Sequence, residues 1–107
     1  MITATIKIFV TAERKKDILE TLFNFAGPVE VMPGCLGCHV TQDVEDPLAI
    51  TYTEEWQTQE DLERHLRSPN YLLLLQLIDL SEREPEVRFM TTTACWGMEF
   101  IEKVRGK

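Results

Sequence analysis

Glu54 is the residue whose placement is most open to chemical use. It lies in the run Ile50-Thr51-Tyr52-Thr53-Glu54-Glu55-Trp56. A period of two puts Ile50, Tyr52, Glu54 and Trp56 on one face of a strand. If helices cover that face, Glu54 is a carboxylate in apolar surroundings, and it must be paired, hydrogen-bonded or raised in pKa. It would then serve as an acid, a base or a substrate anchor, or it would accept backbone or Arg hydrogen bonds and only hold the fold. His65 borders the apolar stripe formed by Leu62 and Leu66. An imidazole titrates near neutrality and can take a proton from a phenol-like substrate. It can equally end as a boundary residue bonded to a carbonyl or carboxylate. Tyr71 follows the Ser68-Pro69 break, which leaves room for a pocket mouth beside His65.

Other candidates carry less. His39 is expected on the opposite sheet face, on the side of a partner. Cys35-Leu36-Gly37-Cys38 has redox spacing, but such motifs work at a helix N-terminus. On a strand, residues three apart face opposite sides, so packing is the expected role of both cysteines, and of Cys95 beside Trp96. No second Cys-x-x-Cys or clustered His pair exists to complete a zinc site. Phosphate-cradling glycine loops, dinucleotide fingerprints and Gly-x-Ser-x-Gly elbows are absent too. No metal and no nucleotide-bound cofactor are expected.

These side chains need a scaffold. Ile2, Ala4, Ile6, Ile8 and Val10 alternate as a half-buried strand. Ile18, Leu19, Leu22, Phe23 and Ala26 then follow helical spacing, with Thr11 as N-cap and Gly27-Pro28 as the stop. Pro33-Gly34 turns into a second strand, Cys35 to Val44. Asp46-Pro47 turns into a third, Leu48 to Trp56, making an antiparallel hairpin. Thr58 and Asp61 form a capping-box-like start for a short helix. Ser68 as N-cap and Pro69 at the first turn begin another helix, running to Leu80. That helix is apolar almost all round and needs covering on more than one side, by a partner subunit or a ligand. Strand four spans Glu86 to Thr93. Residues 94–107 suit either strand or helix and need a docking surface. The order β-α-β-β-α-β is that of a ferredoxin-like α+β subunit, whose bare sheet face is naturally buried against a second copy.

The 107 residues carry 11 Lys+Arg against 18 Asp+Glu, a net charge of −7. That balance disfavours nucleic acid and anionic membranes as partners. With 44% hydrophobic and 27% charged residues, the composition is that of one globular domain. Three cysteines cannot all pair within a chain, which points to a reducing cytoplasm. No basic segment followed by an apolar run opens the sequence, so no signal peptide is expected. The longest apolar stretch is too short to span a membrane.

The Pro33-Gly34-Cys35 turn, Asp46-Pro47, Glu54-x-Trp56, Asp61-Leu62-x-x-His65-Leu66 and Ser68-Pro69 together resemble the antibiotic biosynthesis monooxygenase domain family, over about residues 1–93. The resemblance implies a dimeric α+β barrel of ferredoxin-like subunits, with residues 94–107 as an extension docking on the partner. It also implies a pocket between helices and sheet, with Glu54, Trp56 and His65 at motif positions. Family members often carry a second His after the Ser-Pro step, where this chain has Asn70-Tyr71. The haem-degrading branch uses an Asn, a Trp and a haem-ligating His. Here His65 stands where that Trp would fall, Leu75 lies near the His position, and strand one has no Asn. Haem degradation is not expected.

The expected activity is oxygenation of a quinol- or phenol-like aromatic by O2 without metal or flavin. An electron-rich anion can reduce O2 itself once it is bound, deprotonated and desolvated. His65 would be the base, Glu54 its orienter or a substrate anchor, and Tyr52, Trp56 and Tyr71 the aromatic wall. The rival reading is a dimeric barrel that binds a small ligand or serves in stress, without chemistry.

Overall fold

A computed structural model describes residues 1–106. The elements are β1 (Ile2–Phe9), α1 (Lys15–Glu30), β2 (Cys35–Gln42), β3 (Ala49–Trp56), α2 (Gln59–Leu66), α3 (Tyr71–Asp79), β4 (Glu86–Thr91) and α4 (Met98–Val104). The strands form one sheet in the order β2-β3-β1-β4, with every neighbouring pair antiparallel. This is the ferredoxin-like α+β arrangement. The tail, open to either reading in the sequence, contributes the helix α4.

The period of two along β1 and β3 divides the sheet as the alternation demands. Ile2, Ala4, Ile6 and Ile8 are buried with Ile50, Tyr52, Glu54 and Trp56 on the face the helices cover. The other face carries Thr3, Thr5, Lys7, Thr51, Thr53 and Glu55 and is only partly buried. α1 supplies Ile18, Leu22, Phe25, Ala26 and Val29 to the core, and α3 supplies Tyr71, Leu74 and Leu77. No side chain of β4 is buried: Val87 and Phe89 share the inner face but lie beyond the helices, each 47% exposed.

Three local expectations are corrected. α1 does not stop at Gly27-Pro28 but continues to Glu30 with Pro28 inside it. Pro28 lacks the N–H that would bond the Asn24 carbonyl, a loss on the order of 3 kcal/mol in a helix interior. Burial of Phe25, Ala26 and Val29 on either side offsets it. Ser68 does not cap α3; its hydroxyl donates to the His65 carbonyl at 2.8 Å, closing the end of α2. Cys95 is not packed but exposed, and its neighbour Trp96 stacks on Phe100 instead of the core. The capping of α2 holds: the Asp61 amide donates to the Thr58 hydroxyl, which donates in turn to the Asp61 carboxylate at 2.7 Å. The Asp46 turn also holds, its carboxylate accepting from the Leu48 amide.

Residues 93–106 are exposed throughout. Accordingly the radius of gyration is 15.9 Å, against roughly 13 Å for a compact domain of this length.

Gly34 joins the two halves of the core. Its φ is +85°, its carbonyl accepts from the Gln57 amide at 2.8 Å, and a Cβ there would overlap the Asp61 carboxylate. Gly34→Ala is therefore expected to lower stability by about 1–3 kcal/mol, read as a lower urea midpoint. Gly27→Ala, where a Cβ meets nothing within 4 Å, is expected to be neutral or mildly stabilising in the same titration.

Candidate active site

The buried polar groups of the core meet at Glu54. Across the sheet it is flanked by Ala4 on β1 and Cys38 on β2, small residues that leave space for its neighbours along β3. Tyr52 donates to Glu54 Oε2 at 2.6 Å and the Trp56 indole donates to Oε1 at 3.0 Å. His65 Nε2 lies 2.9 Å from Oε2. Glu54 is 2% exposed and His65 fully buried, so this pair is shielded from solvent screening.

The partners define the tautomer. A carboxylate only accepts, so the hydrogen between them sits on Nε2. Nδ1 has no hydrogen-bond partner and is buried. The imidazole is gripped by aromatic rings: Trp56 at 5.0 Å between centroids, Tyr71 edge-on at 5.1 Å and Phe25 at 5.9 Å. Its position along the chain follows from α2, which is capped by Thr58 and closed by Ser68 just after it.

Burial, then the charge of Glu54, holds the Tyr52 phenol far above its ordinary range. The same two causes push Tyr71 up to about 12. Burial is also the main reason the Cys38 thiol is raised to about 12, against a lowering hydrogen bond from Tyr52. Tyr52 thus keeps its proton and is a fixed donor to Glu54.

A groove of about 710 Å³ opens between α1 and α3. Phe25, Val29, Met32, Leu72 and Leu73 give it apolar walls, and Pro28 and Pro69 lie along it. Thr21, Asn24, Asn70 and Gln76 are its polar members, and among the described residues no Lys, Arg, Asp or Glu lines it. His65 is the one member of the buried cluster that borders it. Leu72 and Leu73, two of the leucines that leave α3 apolar on nearly every side, are exposed and form part of the groove wall. Tyr52, Glu54, Trp56 and Tyr71 do not line it; they stand behind His65. Sequence reasoning missed the groove's polar residues, because Asn24 and Gln76 look like ordinary solvent-facing helix positions. Their proximity to Asn70 arises only when α1 and α3 pack side by side.

His39 stands on the opposite face, 3.7 Å from Glu55 and 61% exposed in its side chain. Among the described residues no three His, Cys, Asp or Glu side chains gather as a metal-binding group. No helix is long and apolar enough to cross a membrane, again among the described residues.

The family model for antibiotic biosynthesis monooxygenases matches residues 1–74. This chain belongs to the antibiotic biosynthesis monooxygenase family. Solved structures share the fold of this monooxygenase-family domain across distant organisms. A Deinococcus radiodurans protein carrying the same family description superposes with a TM-score of 0.83 at 17% identity, covering 92% of this chain and 98% of its own. A conserved Methanosarcina mazei protein gives 0.78 at 22% identity, covering 86% and 92%. A Chloroflexus aurantiacus protein of the same family description gives 0.68 at 26% identity, covering 92% and 99%. No functionally curated protein matches the sequence.

The raised groups have a consequence at high pH. Cys38, Tyr52 and Tyr71 all have folded pKa values above ordinary values of 9.0, 10.0 and 10.0. The folded state therefore holds their protons longer than the unfolded chain does. Their stabilisation is full below pH 9.0 and is lost as pH rises toward about 12. Urea midpoints measured stepwise across that window are expected to fall, and less steeply in Cys38→Ala, which lacks one of the three titrations.

Proposed function

We propose that the chain is a monooxygenase that needs neither metal nor flavin and oxidises a neutral quinol- or phenol-like aromatic with O2. The observation that carries this reading is His65 Nδ1, buried and without a hydrogen-bond partner, in a residue that borders an apolar groove with no charged side chain among the described residues; we read this nitrogen as the proton acceptor. An aromatic hydroxyl placed there gives its proton to Nδ1. The imidazolium that results lies against Glu54 at 2.9 Å. The aryloxide left behind, in a site of low polarity, is the electron-rich species that O2 can oxidise. For a phenol the balance is phenol plus O2 giving quinone plus water, so one oxygen atom enters the ring and the other leaves with the two hydrogens removed.

The division of labour follows position. His65 is the catalytic base. Glu54 is a positioning residue that fixes the tautomer, and Tyr52, Trp56 and Tyr71 hold these two from behind. The groove's contact with an aromatic ring falls to Phe25, Met32, Leu72 and Leu73, with the amides of Asn24, Asn70 and Gln76 meeting polar substituents.

We further propose that it works in the cytoplasm as a homodimer of barrel form, with residues 94–106 of the expected 94–107 extension docked on the partner, residue 107 lying outside the described residues. Support comes from the exposed inner face of β4 and from Trp96, Met98, Phe100, Ile101 and Val104, each at least 45% exposed. Apolar patches of this kind mark association surfaces.

The test is oxygen uptake with a panel of quinols and phenols, with and without chelator. Uptake is expected to be insensitive to chelator and to fall about 10²–10⁴-fold in His65→Ala, the usual contribution of a general base. Glu54→Gln is expected to keep the substrate KM, lower kcat and displace the pH profile. Saturable binding of the panel with no uptake would favour the ligand-binding reading, and undiminished turnover in His65→Ala would remove it from the mechanism.

A further inference from the structure

Two thiols lie beside the buried cluster, and the proposed chemistry does not use them. Regular alternation would send Cys35 and Cys38 to opposite faces of β2, and that expectation is corrected here. Cys35 pairs with Trp56 and Gly37 with Glu55, so Leu36 is the extra residue of a β-bulge. The bulge turns both cysteines to the inner face, with their sulfurs 3.8 Å apart. They oppose Trp56 and Glu54, two residues apart on β3, a spacing of roughly 6.5 Å along a strand. That lies within, and near the long end of, the Cα separation a disulfide can bridge.

The pair is also wired to the site. The Tyr52 hydroxyl, which donates to Glu54, lies 3.7 Å from Cys38 Sγ. One chain of contacts thus runs Cys35, Cys38, Tyr52, Glu54, His65. We propose that Cys35 and Cys38 form a reversible dithiol–disulfide site, oxidised by small disulfides such as glutathione disulfide, whose state is transmitted through Tyr52 and Glu54 to His65.

The order of events follows burial. Cys35 is half-buried and Cys38 buried, so Cys35 is the thiol that meets an incoming disulfide. Its sulfur attacks one sulfur of glutathione disulfide, releasing one glutathione, which takes the Cys35 proton. Cys38 then attacks the mixed disulfide at Cys35 and releases the second glutathione with the Cys38 proton. The protein loses two hydrogen atoms, that is two protons and two electrons, and one disulfide becomes two thiols. Burial, which raises the Cys38 thiol, disfavours its attack on free oxidant; its role as the resolving thiol rests on its sulfur lying 3.8 Å from that of Cys35. Closing the sulfurs from 3.8 Å to about 2 Å displaces Cys38 Sγ and so alters its 3.7 Å contact with the Tyr52 hydroxyl. It also tightens the start of β2, next to the Gly34 turn that abuts Asp61 at the head of α2.

The experiment uses the full chain carrying Cys95→Ser, which removes the exposed third thiol. It is equilibrated in glutathione buffers of stepped redox poise. Intact mass and the ring-nitrogen NMR resonances of His65 are read together. Expected are the loss of two hydrogens, reversal by dithiothreitol, and displaced His65 resonances in the oxidised form. With Cys38→Ser added, a glutathione adduct should remain on Cys35; with Cys35→Ser added, the chain should stay unmodified. Full oxidising poise without loss of two hydrogens would overturn the site, and an adduct on Cys38 would overturn the order of attack. A disulfide that leaves His65 unmoved would overturn the coupling. None of these readouts depends on oxygen uptake, so they stand or fall apart from the oxygenase reading.

Discussion

A buried carboxylate with three donors is the condition the rest of this core satisfies. Glu54 is held by a phenol, an indole and an imidazole drawn from one strand and one helix. A buried carboxylate without such partners would be expelled or neutralised. The three donors come from two solutions to the same problem. Tyr52 and Trp56 reach Glu54 because strand alternation stacks them on its face; His65 reaches it because α2 is capped at one end and closed at the other. Removing any one leaves a buried acceptor or donor unmatched, which is why the surrounding residues are small, aromatic and tightly placed. The polar cluster and the hydrophobic core are one object.

The arrangement also separates two tasks. The carboxylate and its phenol and indole partners stand behind the imidazole, while the groove lies in front of it. A substrate would meet apolar walls and neutral amides, with electrostatics delivered through a single ring. That is economical for chemistry in which the substrate itself carries the reducing electrons, because the protein has only to take a proton and keep water out. Among the described residues the groove carries no Lys, Arg, Asp or Glu, the setting in which the proposed substrate would be neutral until it is bound.

Much of this was legible in the chain. The alternation of Ile50, Tyr52, Glu54 and Trp56 placed them on one buried face, and the stripe of Leu62 and Leu66 put His65 at its border. Those patterns are local and repeat at the element's own period. What escaped were departures from period and features made by two elements at once. A bulge at Leu36 reverses the facing of Cys35 relative to regular alternation, and nothing in Cys-Leu-Gly-Cys announces it beyond the glycine. Pro28 reads as a stop until the burial of Phe25, Ala26 and Val29 is weighed against one lost hydrogen bond. The groove belongs to α1 and α3 jointly, so neither helix alone shows it.

β4 occupies an outer margin of the sheet, with only β1 beside it and no helix above it. Its attachment rests on a single ladder of backbone bonds, so its amides should be the first of the sheet to trade hydrogen for deuterium. A margin so loosely held, with Val87 and Phe89 uncovered, is also where a foreign strand could add itself. Glu86 and Arg88, charged and pointing to the other side, act as guards against such stacking. The segment that joins the fold least firmly is thereby the one that must be most selective about what touches it.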